Sequence, residues 1–161
     1  MSWYNNDGLY VKYGAAEVTV QNGGEYCSPG SLRWTELKIA DMTALGTAAA
    51  IQSDGLVIPA NAFIEKVVVV VDVACTGTSA ALNLGLSRTD RTTELDYDGF
   101  VVAGAVTTLA VAGNIVEYVQ GSTAHGALIG TALANNGLVT ADYDTAAFTA
   151  GAITIRLYYS F

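Results

Sequence analysis

The sequence predicts an all-β chain: an antiparallel β-sandwich, jelly-roll-like, with an extended N-terminal arm. Three observations carry that expectation. At the C-terminus, Ile153, Ile155, Leu157, Tyr159 and Phe161 alternate with Thr154, Arg156, Tyr158 and Ser160, the period of two that gives a strand one apolar and one polar face. Ile64 to Ala74 is rich in valine, and branching at Cβ favours a pleated backbone. Turn signals recur between such segments: Asn22-Gly23-Gly24, Ser28-Pro29-Gly30, Ser53-Asp54-Gly55, Asp98-Gly99, Gly113-Asn114 and Asn135-Asn136-Gly137, all residues that tolerate positive φ or start a turn.

The elements follow in order. Leu9 to Tyr13, Glu17 to Val20 and Leu32 to Ile39 read as strands. Five consecutive valines, Val67 to Val71, predict burial on both faces. Leu82, Leu84 and Leu86 alternate with Asn83, Gly85 and Ser87, a half-buried strand. Gly99 to Ala103, Ile115 to Val119 and Gly137 to Ala141 complete the set, and many short strands with turns between them indicate a sandwich. A helical turn or two fits Ala40 to Ala50 or Thr123 to Ala134. The domain expectation is an arm or partner-ordered segment over residues 1–30 and a sandwich domain over residues 31–161.

Composition narrows the function. The chain has 161 residues, enough for one domain with a real core. Charged residues are only 14% against 52% hydrophobic, where roughly 25% charged is usual. So few charges suggest surface covered by partners, although much of the apolar share is alanine. The net charge of −8 repels a phosphate backbone and argues against nucleic acid as a partner. Val67 to Val71, the longest apolar run, is too short for a membrane span. The opening MSWYNNDG has no basic start followed by an apolar middle, so no secretion signal is expected, and the chain is expected to be made in a cytoplasm and to stay soluble. Cys27 and Cys75 could pair, which spacing alone does not decide; a buried free thiol suits Cys75 better.

Candidate chemistry is sparse. His125, the one histidine, sits in a Gly-Ser loop with no GxSxG elbow to mark a nucleophile; a surface or hydrogen-bonding role is expected. Asp90, Glu94, Asp96 and Asp98 form the sharpest local cluster. Alternating carboxylates before Gly99 fit the first half of a calcium loop, but the closing position holds Ala105 and no helices flank it. An exposed turn with local ion pairs to Arg88 and Arg91 is the expectation, with no cofactor. There is no P-loop, no dinucleotide fingerprint and no zinc-ligand set. The aromatics are more suggestive: Trp3, Tyr4, Tyr10, Tyr13, Tyr26 and Trp34 crowd the first part of the chain, and Tyr and Trp combine large contact area with a polar handle. They are the expected partner-contact residues, weighed against ordinary sheet packing.

The order of several segments resembles that of tailed-phage capsid cement, or decoration, proteins. Val57-Ile58-Pro59-Ala60-Asn61-Ala62-Phe63-Ile64-Glu65-Lys66-Val67 is similar to a turn leading into a long valine-rich strand in those proteins, with Asn61 where a glycine is expected. The likeness continues through Thr78 to Arg88, Asp96-Tyr97-Asp98-Gly99-Phe100, Gly126-Ala127-Leu128-Ile129-Gly130-Thr131 and Thr145-Ala146-Ala147-Phe148-Thr149-Ala150-Gly151. Gly8-Leu9-Tyr10-Val11-Lys12-Tyr13-Gly14 adds to it. The resemblance implies a non-enzymatic virion protein on the capsid exterior, made in the host cytoplasm. Its implied partners are the major capsid protein and itself, as a homo-oligomer with a trimer favoured. A tail or head-fibre component and a carbohydrate-binding β-sandwich module are the alternatives.

Overall fold

A computed structural model describes residues 2–4, 10–12, 32–47, 57–90 and 93–161. Contacts divide the chain into two units, residues 1–31 and 32–161. In the first, β1 (Ser2–Tyr4) and β2 (Tyr10–Lys12) pair antiparallel, with Trp3 opposite Val11 and Tyr4 opposite Tyr10. The strand expected at Glu17 to Val20 lies outside the described residues, as do Tyr13, Tyr26 and Cys27.

The second unit is a β-sandwich of two four-stranded antiparallel sheets. Its strands are β3 (Arg33–Ile39), β4 (Val57–Ile58), β5 (Phe63–Thr76), β6 (Ala81–Ser87), β7 (Glu94–Ala105), β8 (Ile115–Val119), β9 (Gly137–Asp144) and β10 (Ala150–Ser160). Sheet I has the order β3-β10-β5-β8 and sheet II the order β4-β9-β6-β7. The chain therefore changes sheet at every connection except the β6–β7 hairpin, which is the jelly-roll path.

The inner face of sheet I follows from alternation. Ile153, Ile155 and Leu157 on β10 are flanked by Ile39 and Leu37 on β3 and by Val71, Val69 and Val67 on β5, and all are buried in one core. Sheet II supplies Leu82, Leu84 and Leu86 opposite Tyr143, Ala141 and Val139. The valine run meets its expectation unevenly. Val67, Val69 and Val71 are fully buried, Val68 is 6% exposed and Val70 is intermediate. Val68 points outward, between Arg156 and Glu117, whose long stems cover it.

Two short segments show how turns are made. Asn61 takes φ = 66°, a left-handed conformation open to asparagine, so the departure from glycine at this turn carries no steric conflict. Its N–H donates to the Leu133 carbonyl at 2.8 Å. A 3-10 turn forms at Met42–Ala44, capped by Asp41, whose Oδ1 accepts from the Thr43 N–H at 2.9 Å. Residues 123–134 hold turns and no helix. Their N–H groups are drawn to distant carbonyls instead: Leu128 to Gly99, Gly130 to Ile64 and Leu133 to Ala62. A second 3-10 turn lies at Val106–Leu109, where none was anticipated.

Strand β7 is longer than the predicted Gly99 to Ala103 because it leaves the ladder midway. Leu84 pairs with Val101 but Leu86 pairs with Asp96, so the backbone between those partners bulges. It passes across Gly85: a Cβ there would overlap the Asp96 carbonyl and the Tyr97 backbone. On its other side, a Cβ at Gly126 would overlap Gly99 and the Asp98 carbonyl. The excursion is thus held between two positions that admit only glycine. Gly85→Ala is expected to destabilise the fold by about 3 kcal/mol in denaturant unfolding; a loss below about 1 kcal/mol would mean that the excursion can move aside.

Candidate partner-binding face

The outer face of sheet I carries an ordered set of aromatic and charged side chains. Register places Trp34, Tyr158, Lys66 and Val119 in one row across the sheet. The next row holds Glu36, Arg156, Val68 and Glu117, and the next Lys38, Thr154, Val70 and Ile115. Arg156 Nε donates to Glu36 Oε2 at 3.0 Å, and its guanidinium carbon lies 5.7 Å from the centroid of the Trp34 ring. Lys66 Nζ donates to Glu117 Oε1 at 3.0 Å and sits 5.2 Å from the centroid of the Tyr158 ring. Farther along, Thr154 Oγ1 donates to Asp72 Oδ2 at 2.7 Å. The Glu36 carboxylate raises the pKa of Arg156 above its ordinary value.

Each of these contacts is weak for stability, since exposed ion pairs contribute about 1 kcal/mol or less and exposed cation–π pairs about the same. Their effect is on order. Each aromatic ring has a cation against it, and each cation has a carboxylate that fixes it. Trp34 nevertheless remains 57% exposed. A large ring held in place before contact loses less side-chain entropy on binding.

Of the aromatic residues picked from the sequence, Trp34 joins this face. Trp3, Tyr4 and Tyr10 lie on the β1–β2 ladder, and Tyr13 and Tyr26 lie outside the described residues. Sequence reasoning missed Tyr158, Arg156, Lys66, Glu36 and Glu117. The alternation along β10 does put Arg156 and Tyr158 on one face, but only the pairing of β3, β10 and β5 brings them to Trp34 and Lys66.

The acidic cluster is placed differently from its expectation as one exposed turn. Glu94, Asp96 and Asp98 lie on strand β7, not on a loop. Asp90 turns away to close the preceding turn, its Oδ1 accepting from the Thr93 N–H at 2.9 Å and its Oδ2 from the Thr93 hydroxyl at 2.6 Å. Among the described residues no group of three or more His, Cys, Asp or Glu side chains is arranged to hold a metal ion. Arg91 lies outside the described residues. Asp96 lines a cleft of about 140 Å³ with Leu86, Leu95, Leu128, Leu133, Ala134 and Asn135. Burial against this apolar wall pushes its carboxyl up to about 6, with a hydrogen bond and negative charge from Asp98 adding to the effect and Glu94 contributing less.

His125 is half-buried, and its Nδ1 is hydrogen-bonded to the Ser122 carbonyl within its own turn. Cys75 is a free, buried thiol whose pKa is raised by desolvation. Among the described residues no helix is long and apolar enough to cross a membrane.

The fold is similar to that of chains in solved phage capsid structures. A chain of the cyanophage Pam1 capsid asymmetric unit matches with a TM-score of 0.54 at 15% identity, over 94% of this chain and 97% of that one. A chain of the capsid of Ralstonia phage GP4 matches with a TM-score of 0.53 at 16% identity, over 88% of this chain and 92% of that one. A chain of the acidic stable capsid of Helicobacter pylori bacteriophage KHP30 matches with a TM-score of 0.51 at 13% identity, over 81% and 87%. No protein-family model and no curated protein matches the chain. At these identities the likeness establishes a shared fold.

The raised Asp96 carboxyl has a measurable consequence. Unfolded, it titrates near 3.8; folded, near 6. The folded chain therefore binds this proton more tightly, and stability falls as pH rises through that interval. Asp96→Asn removes the effect. Because the carboxyl is partly solvated, the variant is expected to gain only about 1 kcal/mol over the parent between pH 4 and pH 7, read from unfolding curves at both values. An unchanged difference would show that Asp96 titrates normally.

Proposed function

We propose that this chain is a virion structural protein without enzymatic activity, and specifically a cement protein. In this reading it binds the outside of a phage head, contacts the major capsid protein and reinforces the shell as a homo-oligomer, with a trimer favoured. The observation that carries the reading is the jelly roll, matched along most of both chains by chains from three phage capsid structures. The order of segments in the sequence supports the finer, cement assignment.

The outer face of sheet I suits such a role. It is broad, held in order by its own ion pairs, and presents Trp34 on the β3 edge and Tyr158 on the inner strand β10 among long polar side chains. Tryptophan and arginine dominate the energetics of protein contacts when they sit inside a polar rim. Repetition of one modest contact over many sites on a shell gives tight overall attachment. The first 30 residues, with Trp3, Tyr4, Tyr10, Tyr13 and Tyr26, are proposed as an arm that adds contact area.

The deciding experiment is co-sedimentation of the purified chain with heads that lack it. Saturable binding at a fixed ratio to capsid subunits is expected, and absence of binding would sink the reading. Trp34→Ala should weaken binding by roughly 30-fold, the effect of losing an aromatic anchor residue, while leaving the unfolding temperature unchanged. Removal of residues 1–30 should leave a folded sandwich that binds more weakly; full retention of affinity would remove the arm from the contact.

A further inference from the structure

Sheet I ends, among the described residues, on β3 and on β8. Among the described residues no strand pairs with the outer side of β3 or of β8. Three successive antiparallel pairings separate them, so β3 and β8 run in opposite directions. A copy rotated about an axis along the strands keeps its strand direction. Its β3 then meets β8 of its neighbour antiparallel, and the alternation continues through the joint.

We infer that β3 of one copy adds to β8 of the next, joining sheet I of successive copies into one closed ring. The inference rests on the homo-oligomer reading above and names the surface that would build it. Charge favours this pairing. Lys38 is exposed on β3, and the ion pairs among the described residues, Lys66–Glu117 and Arg156–Glu36, do not include it. Glu117 is the one charged residue of β8. Both point to the outer face, so an antiparallel register can set Lys38 opposite Glu117 of the partner subunit. That register also places Glu36 opposite Val119 of the partner subunit.

Exposed apolar side chains are present at or next to both edges. Leu32 and Trp34 are 58% and 57% exposed beside β3, while Val111, Ile115 and Val119 are 65%, 61% and 39% exposed at or before β8. Neither strand contains a proline or a bulge to block addition, two of the usual protections of an edge. A two-fold pairing of β8 with itself is disfavoured, because Glu117 is its central residue and like charges directly opposite repel. A head-to-tail joint has no such conflict and closes into a ring when the rotation permits. One end of the β8 edge is already capped: the Val119 N–H donates to Ser122 Oγ at 3.1 Å and the Ser122 N–H to the Val119 carbonyl at 2.9 Å. The free stretch is therefore at Ile115 to Glu117.

The test is light scattering of the full chain over a dilution series, with Lys38→Glu, Glu117→Lys and the double exchange. The parent should be a closed oligomer. Each single exchange turns an attraction into a repulsion at every joint and should weaken assembly at least about tenfold, while the double exchange should restore it. Circular dichroism confirms the fold of each variant. Single variants that assemble like the parent, or a double variant that does not recover, would overturn the inference. So would single variants that assemble normally but no longer sediment with heads, since the edges would then belong to the capsid contact. A monomeric parent that still binds heads would overturn the ring while leaving the cement reading in place.

Discussion

The antiparallel ladder between β5 and β10 is the constraint on which the rest of this molecule depends. It spans Phe63 to Thr76 and Ala150 to Ser160 and occupies the centre of sheet I. Its inward residues, Val67, Val69, Val71, Ile153, Ile155 and Leu157, are at most 2% exposed. Because side chains alternate across a strand, the register that buries these residues also fixes which side chains face outward. Slipping it by one residue would exchange the core for the outer face. The placement of Trp34, Tyr158 and Lys66 in one row is therefore a consequence of core packing, and the ion pairs of that face act only on how the side chains lie.

The same ladder separates what was legible in the sequence from what was not. Ile115 to Val119 emerges with the bounds expected, and the β10 alternation appears as read from Ile153 to Tyr158, because each strand has its own local pattern. A register shift precedes Tyr159, and Phe161 lies beyond the strand and is exposed. Pairing is non-local. No pattern within Leu32 to Ile39 says that Glu36 lies opposite Arg156, so the outer face was invisible although each of its residues was in view. Strand β7 was read too short for a different reason. Its first half, Glu94 to Asp98, alternates carboxylates and ends in glycine, which resembles turn chemistry. Those residues are extended because Gly85 and Gly126 let the backbone lie close against its neighbours. Residues 123–134 were read as helix-compatible from Ala and Leu content, but backbone hydrogen bonds to Gly99, Ile64 and Ala62 decide their path, an instance of tertiary context overriding propensity.

The acidic cluster shows how a motif loses its meaning once placed. Four carboxylates in nine residues suggest a cation site, but coordination needs oxygens that converge. In the fold Asp90 is committed to Thr93, and Asp96 lies beside an apolar wall. The surviving effect is a raised proton affinity at Asp96, set first by burial and then by a hydrogen bond and negative charge from Asp98. Burial of this carboxyl thus costs the fold a little stability at neutral pH, and among the described residues the cluster forms no ligand set.

Charge distribution also bears on how copies of such a chain could crowd together. A net charge of −8 repels like molecules, and repetition on a shell would bring many copies close. The outer face of sheet I escapes that penalty. Across sheet I, Arg33, Lys38, Lys66 and Arg156 balance Glu36, Glu65, Asp72 and Glu117, whereas Glu94, Asp96 and Asp98 of β7 lie on sheet II. An approach through sheet I brings together surfaces with no net charge and with exposed apolar side chains at both edges. An approach through β7 brings carboxylates against carboxylates. Electrostatics therefore works as an orienting term: it leaves affinity to the aromatic and aliphatic contacts and restricts which face of the sandwich can make them.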